Sequence, residues 1–315
     1  MEKKLKEICD RTIYNYRKFR EEFRFDGDYT NHFAAIIYAN FKKEIPLKKI
    51  KKIRTTIKEK TSRMSSFRGD ILYMLSFLIA EEENEDFFIK KMLIIYDELI
   101  EMGFKDSKYL TLAAYALIKH GKEEDMFDFE MRMCDIFKSM KEEYDNLTNE
   151  EDYLECALLS LVCKDKNIVN QYLKNNFDTL MELNMFSKNS VQGLIIALLL
   201  NRNNSTIIRT KQLLLQFEEE GIKISHQYLP FLGIAAGKYH PKEYCNKINE
   251  VIDYLCSEEY EYENYMDKSF RVLIAISLIA FSNRDKNEKF LQELLSISVY
   301  SFIVSKNQGL IEEVL

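Results

Sequence analysis

Apolar and polar positions along the chain repeat with the spacing of α-helices. One phrase recurs six times: an aromatic or aliphatic residue, a leucine, and then a run rich in alanine and leucine. The marker leucines lie 35 to 44 residues apart, a spacing typical of helical-hairpin repeats. They are Leu72, Leu110, Leu154, Leu194, Leu229 and Leu273.

A second kind of helix lies between these copies. Its apolar residues follow the i, i+3, i+4, i+7 stripe of a helix with one polar face, as in the segments 88–99 and 126–140. The first kind of helix carries small residues such as Ala113, Ala157 and Ala275, which let neighbouring helices approach closely. We therefore expect the first helix of each hairpin to be buried and the second to cover it.

Capping residues predict where these helices begin and end. Gly103, Asn184 and Gly221 each precede an apolar residue at the end of a second helix, and such positions suit a left-handed C-cap. Ser107 is a candidate N-cap, and Thr148 with a glutamate three residues later suggests a capping box.

The pattern predicts an all-α protein, built as one continuous array of helical hairpins of the α-α superhelix or solenoid type. We predict N-terminal capping helices in 1–41, a basic amphipathic helix in 42–68, hairpin repeats in 69–289 and closing C-terminal helices in 290–315. The composition agrees, because 9 Gly and 3 Pro in 315 residues are too few for a fold with many β-turns.

Composition also limits the classes of function. The net charge of -6 argues against a chain that is basic throughout and coats nucleic acid. No apolar stretch approaches the roughly 18 residues needed to span a bilayer, and the first residues lack the pattern of a signal peptide. The six cysteines occur inside helical patterns without a CxxC pair, which is typical of reduced thiols packed as small core residues. We therefore expect a cytoplasmic protein that does not span a membrane.

Residues with catalytic or metal-binding chemistry are scattered. The four histidines, His32, His120, His226 and His240, form no HxxxH or HExxH pair, and no glycine-rich phosphate loop is present. His120 suits the C-terminus of a helix, and His240 before a proline suits a first helical turn. We expect no enzymatic activity, no cofactor and no structural metal; the alternative is a hydrolase or transferase with a hidden carboxylate site.

Short segments within the hairpins carry a further signal: Ser66-Phe67-Arg68-Gly69, 103–110 (GFKDSKYL), Leu147-Thr148 with Asp152-Tyr153, 189–192 (NSVQ) and 228–233 (YLPFLG). In these segments the chain resembles a bacterial family of Firmicutes catalogued as domain of unknown function number four thousand and three. The resemblance covers most of the chain and implies an intracellular, all-helical protein of unassigned activity. Where that family often has Ser-His, this chain has Ile195-Ile196. Any site built on that histidine is therefore absent here, and no catalytic residue carries over.

The segment 42–68 has the most concentrated charge in the chain. It contains eleven basic residues against two acidic ones, a local charge of +9, arranged around a narrow apolar stripe. This pattern is typical of a solvated covering helix, or of a contact for nucleic acid, an anionic membrane surface or an acidic partner. The candidate contact residues are Lys48, Lys49, Lys51, Lys52 and Arg54.

Three runs of acidic residues occur elsewhere in the chain. The runs at 81–86 and 123–125 suit loops and helix starts, where the helix dipole favours acids. The run at 258–263 includes Tyr260 and Tyr262, which we interpret either as a peptide-binding rim or as a solvated loop. Taken together, the features predict a binding or scaffold protein that takes a protein or peptide partner on a curved surface. The alternative is a regulator that contacts nucleic acid or an anionic surface through 42–68.

Overall fold

A computed structural model describes residues 1–41, 44–163, 165–201, 206–235, 239–264 and 266–282. Every regular element within these ranges is helical, which confirms the all-α prediction. The described helices form two compact units, unit 1 within Met1–Lys43 and Tyr172–Phe302 and unit 2 within Glu44–Gln171. The predicted closing helices of 290–315 lie outside the described residues.

The α-helices follow one another along the chain, with α3 to α8 in unit 2, α1, α2 and α10 to α15 in unit 1, and α9 contributing to both. Their bounds are α1 Lys3–Glu22, α2 Asp28–Phe41, α3 Leu47–Lys60, α4 Asp70–Ile79, α5 Glu85–Glu101, α6 Lys108–His120, α7 Met126–Glu143, α8 Tyr153–Val162, α9 Lys166–Met181, α10 Lys188–Leu200, α11 Thr206–Glu219, α12 Leu229–Ala235, α13 Pro241–Glu258, α14 Tyr260–Asn264 and α15 Lys268–Ser282.

Burial follows the predicted alternation between the two kinds of helix. The six marker leucines lie on α4, α6, α8, α10, α12 and α15, and each is at most 2% exposed. Covering helices such as α5 bury a single stripe, here Met92, Ile95 and Leu99 among others, and expose the opposite face. The prediction that the helices carrying the marker leucines are buried is therefore confirmed.

Small residues allow α10 and α12 of unit 1 to approach closely. A Cβ atom added at Gly193 would lie 2.7 Å from Cγ of Pro230, and one added at Gly233 would lie 2.9 Å from Cβ of Ala197. Both distances are shorter than van der Waals contact. A larger side chain at either position would force the two helices apart.

Most predicted helix ends are confirmed. Gly103, Asn184 and Gly221 have φ angles of 98°, 52° and 67°, the left-handed conformation that closes a helix. The side chain of Ser107 accepts a hydrogen bond of 3.2 Å from the backbone N–H of Leu110. His120 is the last residue of α6 and His240 is the N-cap of α13.

The predicted capping box at Thr148 is wrong by one residue. Asn149 accepts from the backbone N–H of Glu151, and Asp152 accepts from the backbone N–H of Asn149, both at 2.8 Å. The Thr148 hydroxyl is buried and donates to the carbonyl of Met140 at 3.3 Å. Thr148 therefore closes the preceding turn, and its neighbour caps the next helix.

The predicted basic helix is shorter than the segment 42–68. The α3 helix covers 47–60, and Lys42 and Lys43 lie outside the described residues. The guanidinium of Arg68 folds back and donates to the carbonyls of Lys58 at 2.6 Å and Ser62 at 2.9 Å. Arg68 thus satisfies carbonyl groups at the C-terminus of α3, which have no partner within the helix itself.

The N-terminal helices pack against the last described helices of unit 1. The α1 helix contacts α2, α13 and α15, and α2 contacts α15. Along α1, Glu2 pairs with Lys247 at 2.5 Å and Arg17 pairs with Glu259 at 2.6 Å. From the first pair to the second, the residue number increases along both helices, so α1 and α13 run parallel.

Candidate functional site

The basic and acidic segments that the sequence presents separately contact each other in unit 2. The Lys52 amine lies 2.9 Å from a carboxylate oxygen of Glu85 and 3.0 Å from one of Asp86. The Lys49 amine lies 3.6 Å from Glu85 and also donates to the carbonyl of Glu82. Lys52 is the main cause of the lowered pKa of Glu85. These two lysines therefore serve as internal partners of the first turn of α5 and of the loop before it.

Arg54 packs on α4. Its guanidinium lies 4.7 Å from the ring centroid of Tyr73 and 5.2 Å from that of Phe77, and its Nε donates to the hydroxyl of Ser76 at 3.0 Å. A planar guanidinium suits such stacking on aromatic rings. Arg54 thus has a structural role between α3 and α4.

The remaining predicted contact residues have different surroundings. Lys48 and Lys51 are exposed on α3, and Tyr260 is 63% exposed at the start of α14. Tyr262 is fully buried, and its ring stacks on that of His32 at 5.0 Å. The prediction that Tyr262 contacts a partner is therefore wrong, because the one-turn helix α14 directs this side chain into the core.

The outer surface of α5 and α7 carries apolar residues that the sequence analysis did not single out. Phe87 and Ile94 of α5 are 52% and 40% exposed, and Phe127 and Met131 of α7 are 67% and 43% exposed. We name this set the α5–α7 face. Its signal in the sequence is an apolar side chain that falls outside the buried stripe of an amphipathic helix.

Side chains beside this face join the two helices. Lys91 of α5 pairs with Glu123 just before α7, and Glu98 of α5 lies close enough to Glu130 of α7 to affect its pKa. Glu130 is 2% exposed. Its burial, together with the charge of Glu98, raises the pKa of Glu130 to about 7. Glu130 of α7 is therefore a buried carboxyl group beside Glu98 of α5, and it holds its proton to a higher pH than an exposed glutamate does.

A second group of perturbed residues lies near the starts of α6 and α8. Burial, reinforced by Asp152, raises the pKa of Glu155 to about 8. Burial lowers the pKa of Lys108 despite the nearby charge of Glu151, and Tyr109 donates to Glu151 at 3.3 Å. Such shifts occur in active sites and in buried ionic networks alike.

Unit 1 contains a small cavity near the starts of α2 and α15, with a volume of about 60 Å³. Aromatic, acidic and thioether side chains line it. They are Tyr16 of α1, Asp28 and Tyr29 of α2, Glu261 of α14, and Met266 and Phe270 at the start of α15. We name this the α2–α15 cavity.

One wall of the cavity is held by hydrogen bonds to carboxylates. The Tyr16 hydroxyl donates to Asp28 at 3.3 Å, and Arg20 pairs with Glu261 at 2.7 Å. Burial, followed by the charge of Asp28, raises the pKa of Tyr16, so its hydroxyl stays protonated. Two carboxylates and one cation thus stand around the phenol.

The opposite wall is built at the start of α15. Asp267 accepts from the backbone N–H of Phe270 at 2.8 Å and from the Tyr29 hydroxyl at 3.0 Å. The rings of Tyr29 and Phe270 meet edge to face at 4.5 Å. These contacts hold the two rings in fixed orientations.

His32 lies behind these rings and is fully buried. Its ring is 3.7 Å from that of Tyr16 and 6.2 Å from that of Phe270. Neither ring nitrogen has a hydrogen-bond partner among the described residues. Burial lowers the pKa of His32 to about 3, so the imidazole adds no positive charge behind the cavity at neutral pH.

The described ranges contain neither a metal-binding cluster nor a membrane-spanning helix. No group of three or more His, Cys, Asp or Glu residues there could hold a metal ion. No helix in the same ranges is long and apolar enough to cross a membrane.

Comparison with known proteins places the chain in a family. No curated protein and no solved structure shows a significant match. The family model described as "Protein of unknown function (DUF4003)" matches residues 15–308, which is most of the chain. The resemblance noted in the short hairpin segments is thereby confirmed, and this all-helical protein belongs to the DUF4003 family.

Proposed function

We propose that this protein is a non-catalytic binding protein, an array of helical hairpins whose outer surface receives a partner protein. The observation that carries the proposal is the α5–α7 face, where two adjacent covering helices expose large apolar side chains. The partner that best fits this face presents an amphipathic helix with basic flanks.

Contacts between covering helices support the array arrangement. In unit 2, Lys52 contacts a residue 33 positions later, Lys91 one 32 positions later, and Asn170 contacts Ser139, 31 positions earlier. In unit 1, Lys211 contacts Glu182, 29 positions earlier, at 2.6 Å. A nearly constant offset is the expected result when successive hairpins stack in parallel.

The spacing of the exposed residues supports a common docking face. Phe87 and Ile94 are seven residues apart, on the same stripe of α5 as Lys91 and Glu98, the side chains that contact α7 or the turn before it. On α7, Phe127 and Met131 are one turn apart and border Glu130. Aromatic and methionine side chains in such patches are common anchors for protein partners.

The charge around the face favours a basic partner. The exposed ionic residues near the face, on α5, on α7 and in the turn before α7, are mostly acidic, with lysines at positions 90, 122 and 138. The acids are Asp97, Glu101, Glu124, Asp128 and Asp135. A partner helix with lysine or arginine beside its apolar stripe would be complementary in charge, which mainly increases the association rate and the specificity.

The test begins with capture of partners from the native cell and continues with purified components. The double variant Ile94→Gln, Phe127→Gln removes the centre of the face without disturbing buried residues. The matched control, Ile208→Gln with Leu215→Gln, changes two exposed apolar residues of α11 in unit 1. Circular dichroism should show unchanged helix content and melting for both variants.

We expect the purified partner to bind the unmodified protein and the α11 variant equally. The α5–α7 variant should bind at least about tenfold more weakly, since loss of two anchors commonly costs more than 1.4 kcal/mol. Binding should weaken with salt because of the acidic rim. Equal binding by all three proteins would contradict the proposed face.

A further inference from the structure

We propose that the α2–α15 cavity of unit 1 binds a small organic cation, namely a primary or methylated ammonium group. This inference is independent of the proposed partner surface, since it concerns other residues and another class of ligand. Three properties of the cavity carry it: its size, its aromatic walls and its negative charge.

The size restricts the ligand to a head group. Pockets for whole cofactors or drug-sized ligands have volumes of about 300–1,000 Å³, whereas this cavity measures about 60 Å³. It could not enclose a nucleotide or a sugar. A group of a few heavy atoms, such as an alkylammonium, fits the available volume.

The walls offer the surfaces that organic cations prefer. The rings of Tyr16, Tyr29 and Phe270 border the cavity, and Met266 adds a polarizable thioether. Because Tyr16 and Phe270 are each only 1% exposed, the accessible apolar surface lies mainly on Tyr29 and Met266. Cations lie favourably over aromatic faces, and cages of such rings recognise choline and methylated lysine. The edge-to-face contact between Tyr29 and Phe270 at 4.5 Å holds two of the rings in place before any ligand arrives.

The charge of the cavity favours a positive ligand. Asp28 and Glu261 line it, and Asp267 holds the Tyr29 hydroxyl at its edge. Arg20 is the cation paired with Glu261, at 2.7 Å, and its side chain is 49% exposed. Three carboxylates against one guanidinium leave a net negative site, because His32 is neutral behind the rings.

The same residues disfavour other ligands of similar size. An anion would approach carboxylates without a facing cation in the lining. Magnesium or calcium would need about six oxygen ligands, whereas half of the lining consists of one phenylalanine, one methionine and the ring of Tyr29. An ammonium group can use both the carboxylates and the apolar walls.

The ammonium group has two possible sources: a free small amine, or a lysine side chain of a peptide or protein. Choline represents the first source, and a short peptide containing trimethyllysine represents the second. Equal affinity for both compounds would identify a free amine as the source of the ammonium group, because the cavity would then contact only the head group. Tighter binding of the peptide would assign the lysine side chain. Either result supports an ammonium site.

The experiment observes the cavity directly in the full chain. The protein is labelled with ¹³C at its methionine methyl groups, and the Met266 signal is assigned with the variant Met266→Leu. The protein is then titrated with choline and, in a separate experiment, with 3,3-dimethylbutan-1-ol, a neutral molecule of nearly the same shape. We expect a saturable shift of the Met266 signal with choline and no shift with the alcohol. Sodium chloride at equal ionic strength serves as the salt control.

Two variants test the charge. Asp28→Asn keeps the shape and can still accept from Tyr16, so it should fold, and it should weaken choline binding by about fivefold or more. The matched control Glu263→Gln removes one exposed charge from the same helix as Glu261 and should change the affinity less than about twofold. If Asp28→Asn does not fold, Glu261→Gln replaces it, with the same expected loss.

The inference would be overturned by any of three results. These are an absent Met266 shift with both choline and the trimethyllysine peptide, an equal shift with the neutral alcohol, and an equal loss of affinity in Asp28→Asn and Glu263→Gln. The last result would show a response to overall charge and no specific site.

Discussion

In unit 2, the pairs of ionisable side chains that join α5 to α3 and to α7 are of different kinds. Towards α3, exposed Lys52 meets Glu85 and Asp86. Towards α7, Glu98 meets Glu130, which is almost fully buried. An exposed pair of opposite charges contributes little to stability because water already solvates both partners. A carboxyl group that is buried beside another carboxyl group holds its proton to a higher pH, so the contribution of Glu130 to stability depends on pH.

The largest expected effect concerns the pH dependence of the Glu98–Glu130 contact. The folded-state pKa of Glu130 is raised from 4.5 to about 7, so the stabilising protonated form is fully present below about 4.5. The stability is lost as the pH rises through about 7. At about 1.4 kcal/mol per pKa unit, the upper bound of the loss is about 3 kcal/mol.

Urea unfolding of the unmodified protein and of Glu130→Gln across this pH range tests the prediction. The amide cannot ionise, so the difference in unfolding free energy between the two proteins should change steadily between about pH 4.5 and 7. Parallel pH curves would show that the pKa of Glu130 is not raised in the folded protein.

A smaller effect is expected for Arg54, the α3 residue that packs on aromatic rings. Arg54→Ala should lower the free energy of unfolding by about 1–2 kcal/mol, since it removes the ring contacts and the hydrogen bond to Ser76. Arg54→Lys should restore only part of this loss because an ammonium lacks the planar surface. The control Arg63→Ala, at an exposed position, should have little effect, and equal losses in Arg54→Ala and Arg63→Ala would contradict the packing role.

The exposed ion pair should contribute less. Lys52→Gln should lower stability by at most about 1 kcal/mol, and 1 M salt should remove most of the difference. Lys48→Gln on the same helix is the matched control and should be neutral. A double-mutant cycle with Glu85→Gln measures the pair itself. A coupling above about 2 kcal/mol that persists in salt would mean that this contact behaves as a buried one.

The smallest effect is expected for nucleic-acid binding through α3. Since Lys49, Lys52 and Arg54 already have partners within unit 2, duplex DNA should bind weakly. Replacing Lys48 and Lys51 with Gln should change that affinity less than about threefold, in contrast to a phosphate-binding surface. A steep linear fall of log affinity with log salt, made shallower by the two substitutions, would instead favour the regulatory role.

Regularities within single helices could be predicted from the sequence. The burial of the marker leucines was predictable because a 3.6-residue period and small neighbouring residues mark the helices that carry them as internal. The left-handed ends at Gly103 and Gly221 follow from the conformational freedom of glycine. Thr148 and Asn149 could each cap the helix that follows them. Only the burial of the Thr148 hydroxyl, which donates to the carbonyl of Met140, decides between the two residues.

Partners that are distant in the chain could not be predicted in this way. The basic and acidic segments are each evident from composition, but the contact of Lys52 with Glu85 depends on how α3 and α5 stack. Tyr260 and Tyr262 have the same local sequence context, and only the packing of α14 exposes the first and buries the second. Similarly, the α2–α15 cavity combines residues from opposite ends of the chain.

Helix content, the alternation of buried and covering helices and most helix ends are therefore consequences of local sequence, because backbone hydrogen bonds and side-chain periodicity act over a few residues. The choice of ionic partners, the raised pKa of Glu130 and the composition of the cavity arise only in the folded chain. Each depends on distances and on exclusion of water between residues that are far apart in sequence, and burial changes the energy of a charge far more than its neighbours in the chain do.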